Sequence, residues 1–228
     1  MTSPASPHSP SRPRARQTES LADQAYALIQ RDIITMRLRP GEALNEADLI
    51  ARTGIGRTPV HQAVHRLVLE GMLTVMPRKG VMVRPVSLDD VLAIIDVRVI
   101  NEGRCVELAA RHAQAADYAH MAALLDETQT AVAAHDIEAM MDIDRAFHLA
   151  ISAAARNPVL AEILRGLHER SLRFWFITLS EPHHLADVQR EHAELFDLLR
   201  ARDEAGARRS VERHIEAFRS TLLQHIRA

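Results

Sequence analysis

Aromatic residues make up only 4% of this 228-residue sequence, and there is a single cysteine, Cys105. One thiol closes no internal disulfide, so a stapled extracellular scaffold is excluded and a reducing, cytoplasmic setting is expected. Glycine and proline are also scarce outside the N-terminus: the chain has 8 and 10 of them, and four of the prolines fall within the first 13 residues. No apolar run approaches the roughly 18 residues needed to span a bilayer, so no membrane partner is expected. The opening MTSPASPHSPSRPRARQ lacks the apolar core of a secretory signal and reads as a disordered basic tail over residues 1–17.

What remains is rich in Ala, Leu, Arg and Glu, a composition that favours helix. Hydrophobic residues at 47% and charged residues at 25% describe an ordinary globular chain, long enough for two modest domains. The net charge of −2 hides an asymmetry. Residues 1–84 carry 12 Lys/Arg against 7 Asp/Glu, and residues 85–228 carry 16 against 23. A basic front and an acidic back suggest two units, the first suited to a polyanion.

Apolar spacing predicts a first helix over 18–39, with Leu21, Ala25, Leu28, Ile29 and Ile33 on one face. A second helix opens at Asn45, a good N-cap, with Asp48 at its third position and Leu44 and Leu49 placed as a hydrophobic staple. Thr53-Gly54-Ile55-Gly56 is a turn. A third helix is predicted from Thr58, with Pro59 where a missing N–H is harmless. LTVM (73–76) and VMVR (81–84) read as strands around Pro77-Arg78-Lys79-Gly80. Helix, short helix, turn, helix and hairpin over 18–84 is a winged helix-turn-helix plan. A hinge follows at 85–87, where Ser87 caps the next helix. Residues 88–228 then hold six amphipathic segments, roughly 88–113, 117–134, 136–155, 157–179, 184–201 and 204–226. The expected fold is therefore mainly α: an N-terminal winged helix-turn-helix plus a C-terminal all-helical antiparallel bundle.

In a helix-turn-helix the second helix of the pair enters the major groove, and its first residues meet bases and phosphates. The side chains available there are Arg57, Thr58, His61, Gln62 and His65, with Arg78 and Lys79 at the wing tip. Arg57 suits a guanine edge or a phosphate, and Thr58 a phosphate. RTP is also simple helix-capping chemistry, and that reading stays open on spacing alone. The run LNEADLIARTGIGRTPVHQAVHRLVLEGML, followed by PRKGVMV, resembles the winged-helix domain of the GntR superfamily over residues 20–84. The resemblance implies double-stranded operator DNA as partner, with Arg57, Thr58 and Gly80 as contacts. Three positions depart from the pattern. Gly56 stands where Ser or Thr is usual, His61-Gln62 replaces Arg-Glu, and Ala47 replaces an arginine found in some members. A histidine at 61 carries full charge only in acid, so weaker binding is expected at neutral pH than with arginine.

The back unit is rich in histidine; the whole chain has 13. His112, His120, His135, His168 and His225 are read as scattered over helix surfaces and ends, and His183 and His184 as capping or exposed. Asp144 and His148 are four apart and share a helical face. His192 and His214 are 22 apart, about 33 Å on one straight helix, but the break near Asp203 lies midway and folds them to one level. Three nitrogens and an oxygen suit a borderline divalent ion: zinc first, then nickel, manganese or iron. Ordinary buried, hydrogen-bonded histidines are the alternative.

The segments RVINE (98–102), DRAFH (144–148), NPVL (157–160), EHAEL (191–195) and ARRSVERH (207–214) resemble the all-helical C-terminal domain of FadR-type GntR regulators, the FCD domain. The resemblance covers 88–226 and implies metal ligation by Asp144, His148, His192 and His214, with a small carboxylate effector beside the metal. Six predicted helices place the domain nearer the VanR-like branch. Arg98 matches an arginine facing the effector in this family, although a salt bridge to Glu102 at i+4 serves it equally well. Arg173 is a second candidate. The function implied is a homodimeric, ligand-responsive transcription regulator, most often a repressor. Two rivals stand beside it: a metal-dependent helical enzyme with a DNA-binding module, and a metal-free bundle with constitutive DNA binding.

Overall fold

The computed structural model describes residues 20–85, 87–178 and 182–227. The tail expected over 1–17, with Arg12, Arg14 and Arg16, lies outside these residues, as do Val86 of the hinge and residues 179–181. The side chains of His183, His184 and His225 are likewise not described.

Helix α1 (Leu21–Ile34) begins at Ser20, whose hydroxyl accepts the Asp23 N–H. It stops five residues short of the predicted end because Met36 turns left-handed (φ 61°). That turn swings Leu38 fully into the core. Strand β1 (Ala43–Leu44) is two residues long, too short for any periodicity to announce. Helix α2 (Glu46–Thr53) carries the capping box of Asn45 and Asp48 and ends at Gly54 in the left-handed region (φ 68°). Helix α3 (Arg57–Leu69) starts one residue earlier than expected, at Arg57. Strands β2 (Leu73–Met76) and β3 (Gly80–Val83) form the wing, and β1 joins them in the order β1-β3-β2, all antiparallel. Ile29, Ile33, Leu49, Val60, Leu67, Met72 and Val83 fill the core between helices and wing.

The bundle consists of α4 (Leu88–His112), α5 (Ala115–Ala134), α6 (Ile137–Ala154), α7 (Pro158–Thr178), α8 (Pro182–Arg200) and α9 (Glu204–Arg227), six helices among the described residues. Their starts are written locally: Ser87, Asp136 and Asn157 accept backbone N–H groups three residues on, and Gln114 forms a capping box with Asp117. Helix α4 runs along α9 and is crossed by α6 and α7. Ile95, Val106, Met121, Phe147, Leu164, Leu199 and Ile215 pack the core between them. Ile34, the last residue of α1, belongs to this second core, so the head is seated on the bundle by an apolar contact.

Candidate metal centre and nucleic-acid interface

Gly56 precedes α3 and offers no side chain to cap it. The third residue, Pro59, has no N–H. The backbone N–H groups of Arg57 and Thr58 therefore stand at the positive end of the helix dipole with no capping side chain, an arrangement suited to an anion. Arg57, Thr58, His61, Gln62 and His65 are all exposed there. The Glu46 carboxylate lies 3.8 Å from both Arg57 Nε and His61 Nδ1. Such exposed pairs are weak, and a phosphate can displace them. At the wing, Arg78 adopts a left-handed conformation (φ 65°) and Arg78, Lys79 and Gly80 are exposed. Gly80 has a backbone reason to be glycine. Its φ is +100°, and a Cβ would fall 2.3 Å from the Leu44 carbonyl oxygen of β1.

In the bundle, α6 supplies Asp144 and His148 from one face, α8 supplies His192 and α9 supplies His214. All four are buried, and their candidate ligand atoms lie within 4.8 Å of one another. Asp144 Oδ1 is 3.3 Å from His192 Nε2 and 3.8 Å from His148 Nε2. The His192 and His214 ring centres are 4.9 Å apart, and Phe147 stacks on His192 at 4.7 Å. Asp144 Oδ1, His148 Nε2 and His192 Nε2 are all buried without a hydrogen-bond partner. Seven buried side-chain atoms lack a partner among the described residues, and three of them face one another here, a grouping that calls for an explanation. A cation among them satisfies all three, and the N3O donor set fits a borderline divalent ion.

Two carboxylates outside this set orient the rings. Glu102 Oε2 lies 3.2 Å from His148 Nδ1, and Glu191 Oε2 lies 2.7 Å from His214 Nδ1. A proton on each Nδ1 leaves Nε2 for the centre, the usual outer partnership of metal-bound histidine. Burial raises the Asp144 carboxyl above its ordinary range, against the pull of His148 and His214. Burial lowers His148, and it lowers His192 further with help from His214 and His148, so both rings are neutral and able to ligate. Burial pushes Glu102 upward too, but Arg98, His168 and His148 outweigh it and hold its carboxyl well below the usual range.

Arg98 forms the salt bridge to Glu102 that its i+4 spacing offers. Its Nε donates to Glu102 Oε1 at 2.6 Å, and its side chain also lines a cavity of about 10 Å³ with Asp144, His168, Trp175, His214 and Phe218. That is room for about one water. His168 is not a surface histidine: it is 5% exposed, its Nε2 is 3.4 Å from Glu102 Oε1, and its ring centre is 4.6 Å from that of His148. The signal was present, because His168 falls on the same helical face as Leu164, Leu172 and Trp175, where an apolar residue is expected. Glu102, His148 and His168 also bring ligand atoms within 4.8 Å, but there Arg98 already neutralises the carboxylate. Glu191 was missed as well; it adjoins His192 with nothing in the spacing to mark it. Arg173 does not line the cavity beside the histidines. It faces the junction with the head, where its Nη1 donates to the Arg84 carbonyl at 2.8 Å.

Residues 93–217 match the FCD domain family, and residues 21–83 match the family described as bacterial regulatory proteins, gntR family. The HTH-type transcriptional repressor GlaR of Escherichia coli is 30% identical over 83% of this chain and 90% of its own. The Nta operon transcriptional regulator of Aminobacter aminovorans is 29% identical over 85% and 90%. Among solved structures, Escherichia coli McbR/YncC superposes with a TM-score of 0.81 at 26% identity, covering 91% of this chain and 99% of that one. No helix among the described residues is long and apolar enough to cross a membrane. A winged head with a bare-capped recognition helix, a histidine-lined helical bundle and relatives that are named as regulators converge. The chain belongs to the GntR family of bacterial regulators, with an FCD domain behind its DNA-binding domain, and is a transcriptional regulator rather than an enzyme.

Proposed function

We propose that this regulator is a homodimeric repressor in the cytoplasm whose bundle holds one divalent metal ion through Asp144, His148, His192 and His214 and responds to a small organic acid. The observation that carries the metal assignment is the convergence of three unsatisfied buried atoms, Asp144 Oδ1, His148 Nε2 and His192 Nε2. A bound divalent ion supplies the positive charge these atoms need and a point at which an effector carboxylate can bind. Arg98, beside the same cavity, has its Nε on Glu102 and makes no other hydrogen bond among the described residues. Its Nη groups remain for a carboxylate. The six-helix bundle supports placement in the VanR-like branch. Exposed Ile100 on α4 and Val159 on α7, at 68% and 70%, are apolar surface of the kind a second copy covers.

A route from bundle to DNA-binding head runs through buried and half-buried polar groups. Arg145, next to Asp144, pairs with Glu169 on α7. Gln30 Nε2 on α1 donates to Glu169 Oε2 and to the Tyr26 hydroxyl, both at 2.6 Å. Tyr26 in turn donates to Glu70 Oε2 at the C-cap of α3. A shift of α7 on effector binding therefore changes a hydrogen bond that ends on the recognition helix. Arg57, Thr58, His61, Gln62, Arg78, Lys79 and Gly80 are the proposed operator contacts. Elemental analysis of protein purified without chelator is expected to find about one divalent ion per chain, lost in His214→Ala. Finding no stoichiometric metal overturns the proposal. A thermal-shift screen of small carboxylates against the loaded protein then identifies the effector class.

A further inference from the structure

The junction between head and bundle contains a second concentration of positive charge that the metal centre does not use. Arg84 at the end of the wing and Arg170 and Arg173 on α7 line one cavity, together with Gly71, Pro85, Asp90 and Phe174. Arg173 is 6% exposed, yet no carboxylate lies within salt-bridge distance of it among the described residues, and its Nε has no hydrogen-bond partner. Arg170 likewise makes no ion pair among the described residues. Arg84 has only Asp90, at 3.8 Å. A buried guanidinium without an anion is costly, since buried charges in native proteins are paired. The cost is visible here: burial, with Arg84 adding to it, pushes the Arg173 guanidinium down to about 10. Gly71 leaves the space open, with a Cβ there reaching to 3.3 Å from Arg84 Nη1.

We propose that this junction is a binding site for a small oxyanion, a phosphate or a compact carboxylate, that bridges Arg84 of the head to Arg170 and Arg173 of the bundle. The cavity encloses about 20 Å³, space for one or two water-sized groups. One corner of the anion enters against Arg173, and its remaining oxygens lie along the exposed Arg84 and Arg170. Planar guanidinium forks match both tetrahedral and carboxylate oxygens, so the site selects for charge and size. An anion held there ties β3 directly to α7 through arginines that are not among the four candidate metal ligands.

The test is titration of inorganic phosphate, and separately of malonate, into the full-length protein by calorimetry at constant ionic strength. The expected result is binding that weakens about tenfold or more in Arg84→Ala and in Arg170→Ala. Both residues are exposed, so these variants fold. Two controls remove other places for the anion: His214→Ala dismantles the metal centre and Arg57→Ala the recognition-helix end, and each is expected to leave the arginine-dependent binding intact. Phosphate alone, malonate alone or both then assigns the preferred oxyanion. Absence of binding by either, or binding equally strong in Arg84→Ala and Arg170→Ala, overturns the proposal. So does binding that vanishes in either control.

Discussion

Replacing His192 by leucine separates a metal centre from a cluster of ordinary core histidines, because the two predict opposite orders of stability. In the metal-free protein His192 Nε2 is buried with no partner, and an unsatisfied buried polar atom costs about 1–3 kcal/mol. Leucine removes that atom. It also removes the stacking of the imidazole on Phe147, worth about 0.5–1.5 kcal/mol, and partly replaces it by apolar burial. The net expectation is a gain of about 1 kcal/mol for the variant in chelator, or about 2–4 °C in melting temperature for a chain of this size. Metal reverses the order. At free zinc of 100 to 1,000 times the dissociation constant, the wild type gains about 2.7–4.1 kcal/mol by mass action, roughly 5–16 °C. The variant, with one ligand missing, gains little.

The assay is a melt of both proteins in EDTA and in excess zinc, followed by near-ultraviolet circular dichroism. His192→Leu is expected to melt above the wild type in chelator and below it in zinc. A wild type that melts at or above the variant in chelator refutes the reasoning, because it means the histidine is already satisfied by protein groups. Equal stabilisation of both by zinc refutes it from the other side.

Gly80→Ala is expected to destabilise the wing by at least about 1–2 kcal/mol from its backbone conformation alone, more with the Leu44 carbonyl in the way; a circular-dichroism melt unchanged from wild type contradicts this. His61→Arg places a permanent cation at the recognition helix, so operator affinity at pH 8 should rise and the salt slope steepen by about 0.9; no gain in fluorescence anisotropy disproves the contact. Cys105 is buried against Ser152 and burial pushes its thiol up to about 12; it should resist alkylation at pH 8 in native protein and react fully in guanidinium, and native reactivity at the rate of a free thiol would show the helix α4–α6 contact to be open. Gln30→Leu should keep metal content but shrink the ratio of operator affinities with and without effector from about 5- to 150-fold toward unity; an unchanged ratio removes Gln30 from the coupling route.

Much of this architecture was legible because its signals are local. Caps such as Asn45 and Ser87 and breaks such as Gly54 act within one turn, so helix starts are legible to within a few residues. The wing was legible from two short apolar runs, LTVM and VMVR, around the turn Pro77-Arg78-Lys79-Gly80, apart from β1. Those two residues pair only through Ala43–Met82 and Leu44–Val81, and a long-range partner leaves no mark on so short a segment. The four candidate ligands were visible as an i, i+4 pair and two histidines straddling a break. Their supporting groups were not. Glu102 resembles any surface partner of an i+4 arginine, and His168 looks like a stray polar residue, until folding places both against His148. Arg173 failed in the other direction: α7 is long enough to touch two cavities, and sequence alone does not say which end of it faces the metal.

That length lets α7 reach the histidine cluster, the head and the junction cavity at once. Consecutive helical residues point about 100° apart, so His168, Glu169 and Arg170 face three directions from a single turn. His168 looks toward Glu102 and the histidine cluster, Glu169 toward Gln30 of the head, and Arg170 toward the junction cavity that Arg173 enters one turn later. No part of α7 can rotate at the first contact without disturbing the other two. A close-packed interior transmits strain, so an adjustment at His168 is passed to Gln30 through the adjoining Glu169. It then meets Arg84 at the junction, where an oxyanion would oppose it by holding Arg170 and Arg173 to the end of the wing. The two proposed ligand sites thus act on one element, and by reciprocity a ligand that moves α7 at one end must change affinity at the other.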